Sequence, residues 1–355
     1  MYSPKQLRKS QVILFVVCVF VSFSISIFAN PAGLMKDVKA DLVLPSSALR
    51  APSPNSWEKG TRRKSYPINK VVVFGDSLSD NGNLYAYMKQ QLPISPPYFA
   101  GRFTNGLVWV EQLTQMLYAN DWQSHLLDYA FGSADVLVMR DEDDSVFTLD
   151  REIDSYLLAH QNHADEQSLF IIWIGANNYL AVPDDADRTV SEVNEGIKRN
   201  LQRLVARGAQ HILVINLPDL GKTPVAQEFE AVDALTYFSK QHNTTLAKNM
   251  AQLQIDNPDV QWLLFDAAQL FDHVLARPTQ YGFTNTTQTC YDATINMPSS
   301  QSVLNLVTAI QSHQRQKTNT CQGYFFIDPI HPSAAVHQFM AKQIAVFLQN
   351  NGVSV

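Results

Sequence analysis

An α/β fold, a parallel sheet with helices on both faces, is what this sequence predicts, and three observations carry the prediction. Residues 71–74, 168–174, 211–216 and 260–265 are short apolar runs that read as buried strands. Longer segments with helical periodicity, 190–208, 233–257 and 332–350, lie between or after them. The two kinds of segment alternate, and parallel neighbours need crossover connections of this length. The first run, Val71-Val72-Val73-Phe74, ends at Gly75. In the first helical segment Val193, Ile197, Leu201, Leu204 and Val205 keep one apolar face, and Gly208 supplies a C-terminal stop. No internal repeat or low-complexity tract interrupts the pattern.

The chain has 355 residues, 46% hydrophobic and 17% charged, enough for one large or two ordinary domains. A formal charge of −6 gives no basic footprint for nucleic acid. Lys5, Arg8 and Lys9 precede an apolar run from Val12 to Ala29, so residues 1–29 are expected to be an export signal or a retained anchor. Residues 30–69, punctuated by Pro31, Pro45, Pro52, Pro54 and Pro67, read as a flexible linker. The folded domain is expected over 70–350. Export leaves Cys290 and Cys321 in an oxidising compartment, where they read as one disulfide, with two free thiols as the alternative. Such a bridge would close a loop of about thirty residues, worth roughly 3 kcal/mol. Residues 280–323 around it are rich in Thr, Asn, Gln and Ser and break the strand–helix rhythm; they read as a lid or as a surface decoration.

Three turns carry candidate chemistry. Phe74-Gly75-Asp76-Ser77-Leu78-Ser79-Asp80 stands where the first strand ends, which is where ligands gather on a parallel sheet. Ser77 there is either a nucleophile or an ordinary turn residue. Asp328-Pro329-Ile330-His331-Pro332 can set a base and its acceptor on one rim, or be a helix cap with a surface histidine; Pro332 is expected to open the last helix. Ile174-Gly175-Ala176-Asn177-Asn178 is a further strand end, whose Asn177 amide could stabilise an oxyanion.

Taken together and in this order, these blocks resemble the GDSL, or SGNH, hydrolases. The resemblance implies a flavodoxin-like three-layer α/β/α sandwich and an acyl-enzyme mechanism. Ser77 matches the nucleophile, Asn177 the oxyanion amide, and Asp328 with His331 the closing Asp-x-x-His. Leu92-Pro93-Ile94-Ser95-Pro96-Pro97-Tyr98, Gly101-Arg102-Phe103-Thr104-Asn105-Gly106 and Asn216-Leu217-Pro218-Asp219-Leu220-Gly221 look like the bacterial secreted branch of phospholipases, lysophospholipases A and glycerophospholipid:cholesterol acyltransferases. That branch implies a phospholipid or lysophospholipid substrate, cholesterol as an acceptor, transient contact with a membrane surface and no cofactor. Ser133 stands where the family has a glycine whose N–H reaches the oxyanion, and Gly132 is the fallback donor. Asn178, where the family often has Asp, is expected to organise its turn.

The bland readings stay with the remaining residues. Asp80, Asn81 and Asn83 are expected to be turn and cap residues, and Tyr98 and Trp109 packing residues. The scattered histidines lack metal-ligand spacing. The same fold also hosts carbohydrate and short-chain esterases, or an inactive binding protein.

Overall fold

The computed structural model describes residues 67–137, 147–292, 315–316 and 321–355. The expected signal segment, nearly all of the linker and most of the polar insertion lie outside the described residues. Ile68 is buried, and its N–H donates to the Ser354 carbonyl.

Five parallel strands form the central sheet in the order β2-β1-β3-β4-β5. They are β1 (Lys70–Gly75), β2 (Leu126–Asp128), β3 (Ser168–Trp173), β4 (His211–Ile215) and β5 (Gln261–Phe265). Across the sheet Leu127, Val72, Phe170, Ile212 and Trp262 lie in register. Every residue of β3 is buried, as a strand covered on both faces requires. The edge strand β2 escaped the sequence pattern. Its three residues include only two apolar ones, and all are half-buried.

Helix α1 (Asn83–Tyr87) follows the first turn, then α2 (Trp109–Tyr118), α3 (Trp122–His125) and α4 (Leu149–Ala159). After β3 come α5 (Asn177–Leu180) and α6 (Ala186–Ala206); α7 (Pro224–Glu228), α8 (Val232–Asp256), α9 (Ala267–Ala276) and α10 (Ala334–Asn350) complete the set. α2 packs on α10, while α6 packs on both α4 and α8. With right-handed crossovers these two groups cover opposite faces of the sheet, giving the three-layer sandwich.

Local chemistry explains the boundaries. α6 starts earlier than its apolar face because its first turn is polar and Asp185 accepts from the Arg188 N–H. It stops at Gly208, φ +115°, where the N–H groups of Gly208 and Ala209 return to the carbonyls of Val205 and Leu204 in a Schellman motif. Pro332 does not open the last helix. It bridges Phe326, and the Ser333 N–H donates to the Phe325 carbonyl at 2.8 Å, so the helix begins at Ala334 with Ser333 as N-cap.

Within the insertion, β6 (Asn285–Thr289) pairs with β9 (Tyr324–Phe326), and β7 (Tyr291–Asp292) pairs with β8 (Arg315–Gln316). Cys290 and Cys321 form a disulfide with their Cα atoms 5.4 Å apart. The lid or decoration expected from this insertion falls largely outside the described residues.

Candidate active site

Ser77 sits on the turn that leaves β1. Gly75 ends the strand because a side chain would not fit: a Cβ there would lie 2.4 Å from the Trp173 carbonyl oxygen of β3. Asp76 then folds the chain back, its carboxylate accepting from the Leu78 N–H at 3.0 Å and its carbonyl from Ser79 and Asp80. Burial pushes the Asp76 carboxyl up to about 6, opposed by that N–H and by the His331 ring.

Asp328 and His331 meet Ser77 from the far end of the chain. His331 Nε2 is 2.8 Å from Ser77 Oγ, and His331 Nδ1 is 2.7 Å from Asp328 Oδ2. With Nδ1 protonated, Nε2 is left to accept the serine proton. Asp328 Oδ1 accepts from the N–H groups of Ile330 and His331 at 2.8 and 2.7 Å. Burial alone would raise the Asp328 carboxyl. The His331 ring, the hydrogen bonds from His331 and Tyr98, and the His331 N–H outweigh it and hold the group below its ordinary value. Tyr98 was expected only to pack. It is buried, but its hydroxyl also donates to Asp328 Oδ2 at 2.5 Å. No spacing in the sequence shows this, because the partners are 230 residues apart.

Asn177 lines the same pocket as Ser77, and the loop that holds Ser133 is tied to the Ser77 turn through Gly132 and Asp80. The N–H groups of Ser77 and Ser133 find no acceptor among the described residues. The Asn177 amide donates one proton to the Ala134 carbonyl at 2.8 Å, which orients the side chain and leaves the other proton available. Ser133 adopts φ +66°, the region where glycine is at home, and its buried hydroxyl has no partner. Gly132 does not serve as the fallback donor, because its N–H is engaged by Asp80 Oδ2 at 2.7 Å. Asp80 also accepts from Gly82, Asn83 and Leu84, and Asn83 donates to the carbonyls of Asp128 and Ala130. Asp80 therefore caps α1, and both residues tether the loop of Ser133 to the turn of Ser77. Asn178 joins Val136 and Leu137 to the Asn177 turn through both amide atoms.

An apolar pocket of about 650 Å³, counting its open mouth, runs from Ser77 and Asn177 between Leu78, Leu180, Leu220, Phe271, Leu275 and Ile330. At its edge the Lys222 ammonium pairs with Asp272 at 2.6 Å. Among the described residues no group of His, Cys, Asp or Glu could hold a metal ion.

This fold and this constellation define a class that the sequence comparisons also reach. The profile of the GDSL-like lipase/acylhydrolase family matches residues 71–344, and the chain belongs to that family, as an acyl hydrolase or acyltransferase. Among its relatives is the phosphatidylcholine-sterol acyltransferase of Aeromonas hydrophila, 31% identical over 312 residues that cover 80% of this chain and 91% of that one. The secreted effector protein SseJ of Salmonella typhimurium is 26% identical over 80% of this chain and 64% of its own length. The thermolabile hemolysin of Vibrio parahaemolyticus is 26% identical over 81% of this chain and 66% of its own. This chain thus spans just under two thirds of those last two proteins. No described helix is long and apolar enough to cross a membrane.

Proposed function

We propose that the chain is an exported phospholipase or lysophospholipase A that also passes acyl groups to a sterol, with Ser77, His331 and Asp328 as its triad. The observation carrying this reading is the unbroken Ser77–His331–Asp328 hydrogen-bond relay opening onto an apolar pocket. In the proposed cycle Ser77 Oγ attacks the ester carbonyl carbon while His331 Nε2 takes its proton. The N–H groups of Ser77 and Ser133 and the Asn177 amide receive the negative charge on the carbonyl oxygen. Collapse expels the glycerol-side alcohol, which takes the proton back from His331 and leaves the acyl group on Ser77. Water or a sterol hydroxyl then attacks that ester, giving its proton to His331, which passes it to Ser77 Oγ as the acyl–oxygen bond breaks and Ser77 is regenerated. Apolar walls suit the acyl chain, and similarity to a phosphatidylcholine-sterol acyltransferase supports the donor and acceptor classes. The basic and apolar character of residues 1–29 supports export, and lipid substrates imply transient contact with a membrane surface.

The test is fatty-acid release from phospholipid, lysophospholipid and a short-chain nitrophenyl ester, with and without cholesterol, beside Ser77→Ala. Lipid turnover lost in Ser77→Ala, with part of the acyl chain recovered as cholesteryl ester, is expected. Turnover of the short ester alone, or activity surviving in Ser77→Ala, overturns the reading.

A further inference from the structure

The carboxylate of Asp328 is fully buried and all its acceptor capacity is used. Oδ1 takes two main-chain N–H groups, while Oδ2 takes His331 Nδ1 and the Tyr98 hydroxyl. An ionised carboxylate has about four lone-pair sites, so removing any one donor leaves a buried site unmet and one restraint on the group fewer. Only two of these donors are side chains, and one of them is His331 itself. Among the described residues the Tyr98 hydroxyl is therefore the one side-chain donor that holds Oδ2 independently of the histidine it orients.

Tyr98 is itself rigidly held. Its ring stands edge-on to Tyr291 at 6.0 Å and tilted against Phe103 at 6.0 Å, and Phe103 lies 5.0 Å from the His331 ring. Tyr291, next to the disulfide, donates from its hydroxyl to the Pro97 carbonyl at 2.6 Å and from its N–H to the Ile327 carbonyl at 2.8 Å. Tyr98, Cys290, Tyr291, Cys321 and Ile327 form a small apolar cluster of their own. The same segment grips the loop after His331: Thr104 donates to the Pro332 carbonyl at 3.0 Å, and Asn105 accepts from the Ala334 N–H at 2.8 Å. Residues 98–105 thus clasp the Asp-x-x-His turn from outside the sheet.

We infer that Tyr98 is a positioning residue of the acyl-transfer site, fixing Asp328 Oδ2 against His331 and drawing off part of its charge, with Tyr291 as its brace. The inference rests on the reading of Ser77, His331 and Asp328 as the triad. Tyr98 is not among the residues that line the pocket, and its hydroxyl is bonded to Asp328, through which it acts. Without its hydroxyl, Asp328 would keep a more localised charge facing His331, so the proton on the imidazolium would be bound more tightly, while the carboxylate would lose one of the contacts that orient it. The groups facing His331 are Asp328, Asp76 on the nucleophile turn and His337 on α10; Tyr291 faces Asp328. All of these remain in Tyr98→Phe, so any change in the pH profile against the parent protein reports the phenol.

The experiment is ester-hydrolysis kinetics of Tyr98→Phe, Asp328→Asn, the double variant and Tyr291→Phe, with urea midpoints to establish that each is folded. Tyr98→Phe is expected to lower kcat about ten- to a hundredfold, the worth of one hydrogen bond to a charged group, with KM within about twofold. The acid limb of its kcat/KM profile moves to higher pH. In the Asp328→Asn background the same change costs less than about twofold, because the charge it acts on is gone. Tyr291→Phe shifts kcat in the same direction by a smaller factor. Parent-like kcat and acid limb in Tyr98→Phe overturn the inference, as does an equal loss with and without Asp328. If Asp328→Asn or Ser77→Ala retains full activity, the triad reading has failed instead.

Discussion

Ser133 is the residue at which this chain departs from its family's usual glycine, and its geometry shows how the departure is accommodated. The position keeps the left-handed φ of +66° that glycine would adopt, and the hydroxyl lies buried without a partner. The proposed contribution to the oxyanion is a main-chain N–H, which any residue but proline supplies. A left-handed non-glycine residue costs about 1–2 kcal/mol, while glycine loses about 0.5–1 kcal/mol more conformational freedom on folding. Ser133→Gly is therefore expected to leave kcat/KM within about twofold and to leave the urea midpoint equal or raised. A tenfold loss of kcat/KM would assign the hydroxyl a direct role. The meeting of Ser77, Asp328 and His331 was legible in the sequence because each falls at a strand end or tight turn whose neighbours carry the signal. Tyr98 was not legible, since a buried tyrosine and a carboxylate-holding tyrosine look the same until the fold brings residue 328 beside it.

Among elements, the junction of β1 with the Ser77 turn is the least forgiving. β1 and β3 run in register to Gly75 and Trp173, so an added Cβ at Gly75 meets main chain rather than a movable side chain. Gly75→Ala must part the two strands that carry Ser77 and Asn177. We expect little soluble protein, or a urea midpoint lowered by the equivalent of about 3 kcal/mol, with activity falling further than stability. A folded, fully active Gly75→Ala would mean the strands can separate without disturbing the site. The buried strands and the long helices followed from apolar periodicity. β2 did not, because a three-residue edge strand is too short to show any period. Nor did the start of α10, which is set by contacts of Pro332 and Ser333 with β9 rather than by proline's local preference.

Over the whole molecule, buried ionisable groups set the dependence of stability on pH. Burial raises Glu152 well above its ordinary value; its bond from the Gly75 N–H opposes this, and Asp128 and Asp76 add to it. A carboxyl raised in the folded state holds a proton that the unfolded chain releases above about 4.5. The stability it contributes is thus present at low pH and lost as pH rises toward the folded value. His242 and His337, both lowered by burial to about 3, act in the opposite sense, costing stability as pH falls below about 6.5. Glu152→Gln keeps an acceptor for Gly75 but cannot ionise. Its urea midpoint relative to the parent is expected to rise between pH 5 and pH 8, the two histidines cancelling in the comparison; a constant offset would contradict the assignment. The disulfide spans 31 positions, and its removal in Cys290→Ala/Cys321→Ala is expected to cost about 3–4 kcal/mol at most, read as a lowered urea midpoint. An unchanged midpoint would show that the apolar cluster around it suffices.

The hydrogen bond between Ser77 and His331 joins residues 254 positions apart, with four of the sheet's five strands between them in the chain. A growing polypeptide therefore carries its serine through almost all of synthesis with no base to activate it. Only when β9, the Asp-x-x-His turn and α10 have emerged and docked can the proposed chemistry begin. A product cut short before residue 328 would hold a hydroxyl no more reactive than any other serine. If the proposed triad holds, the connectivity alone leaves every unfinished copy without the activity that would reach membrane lipids.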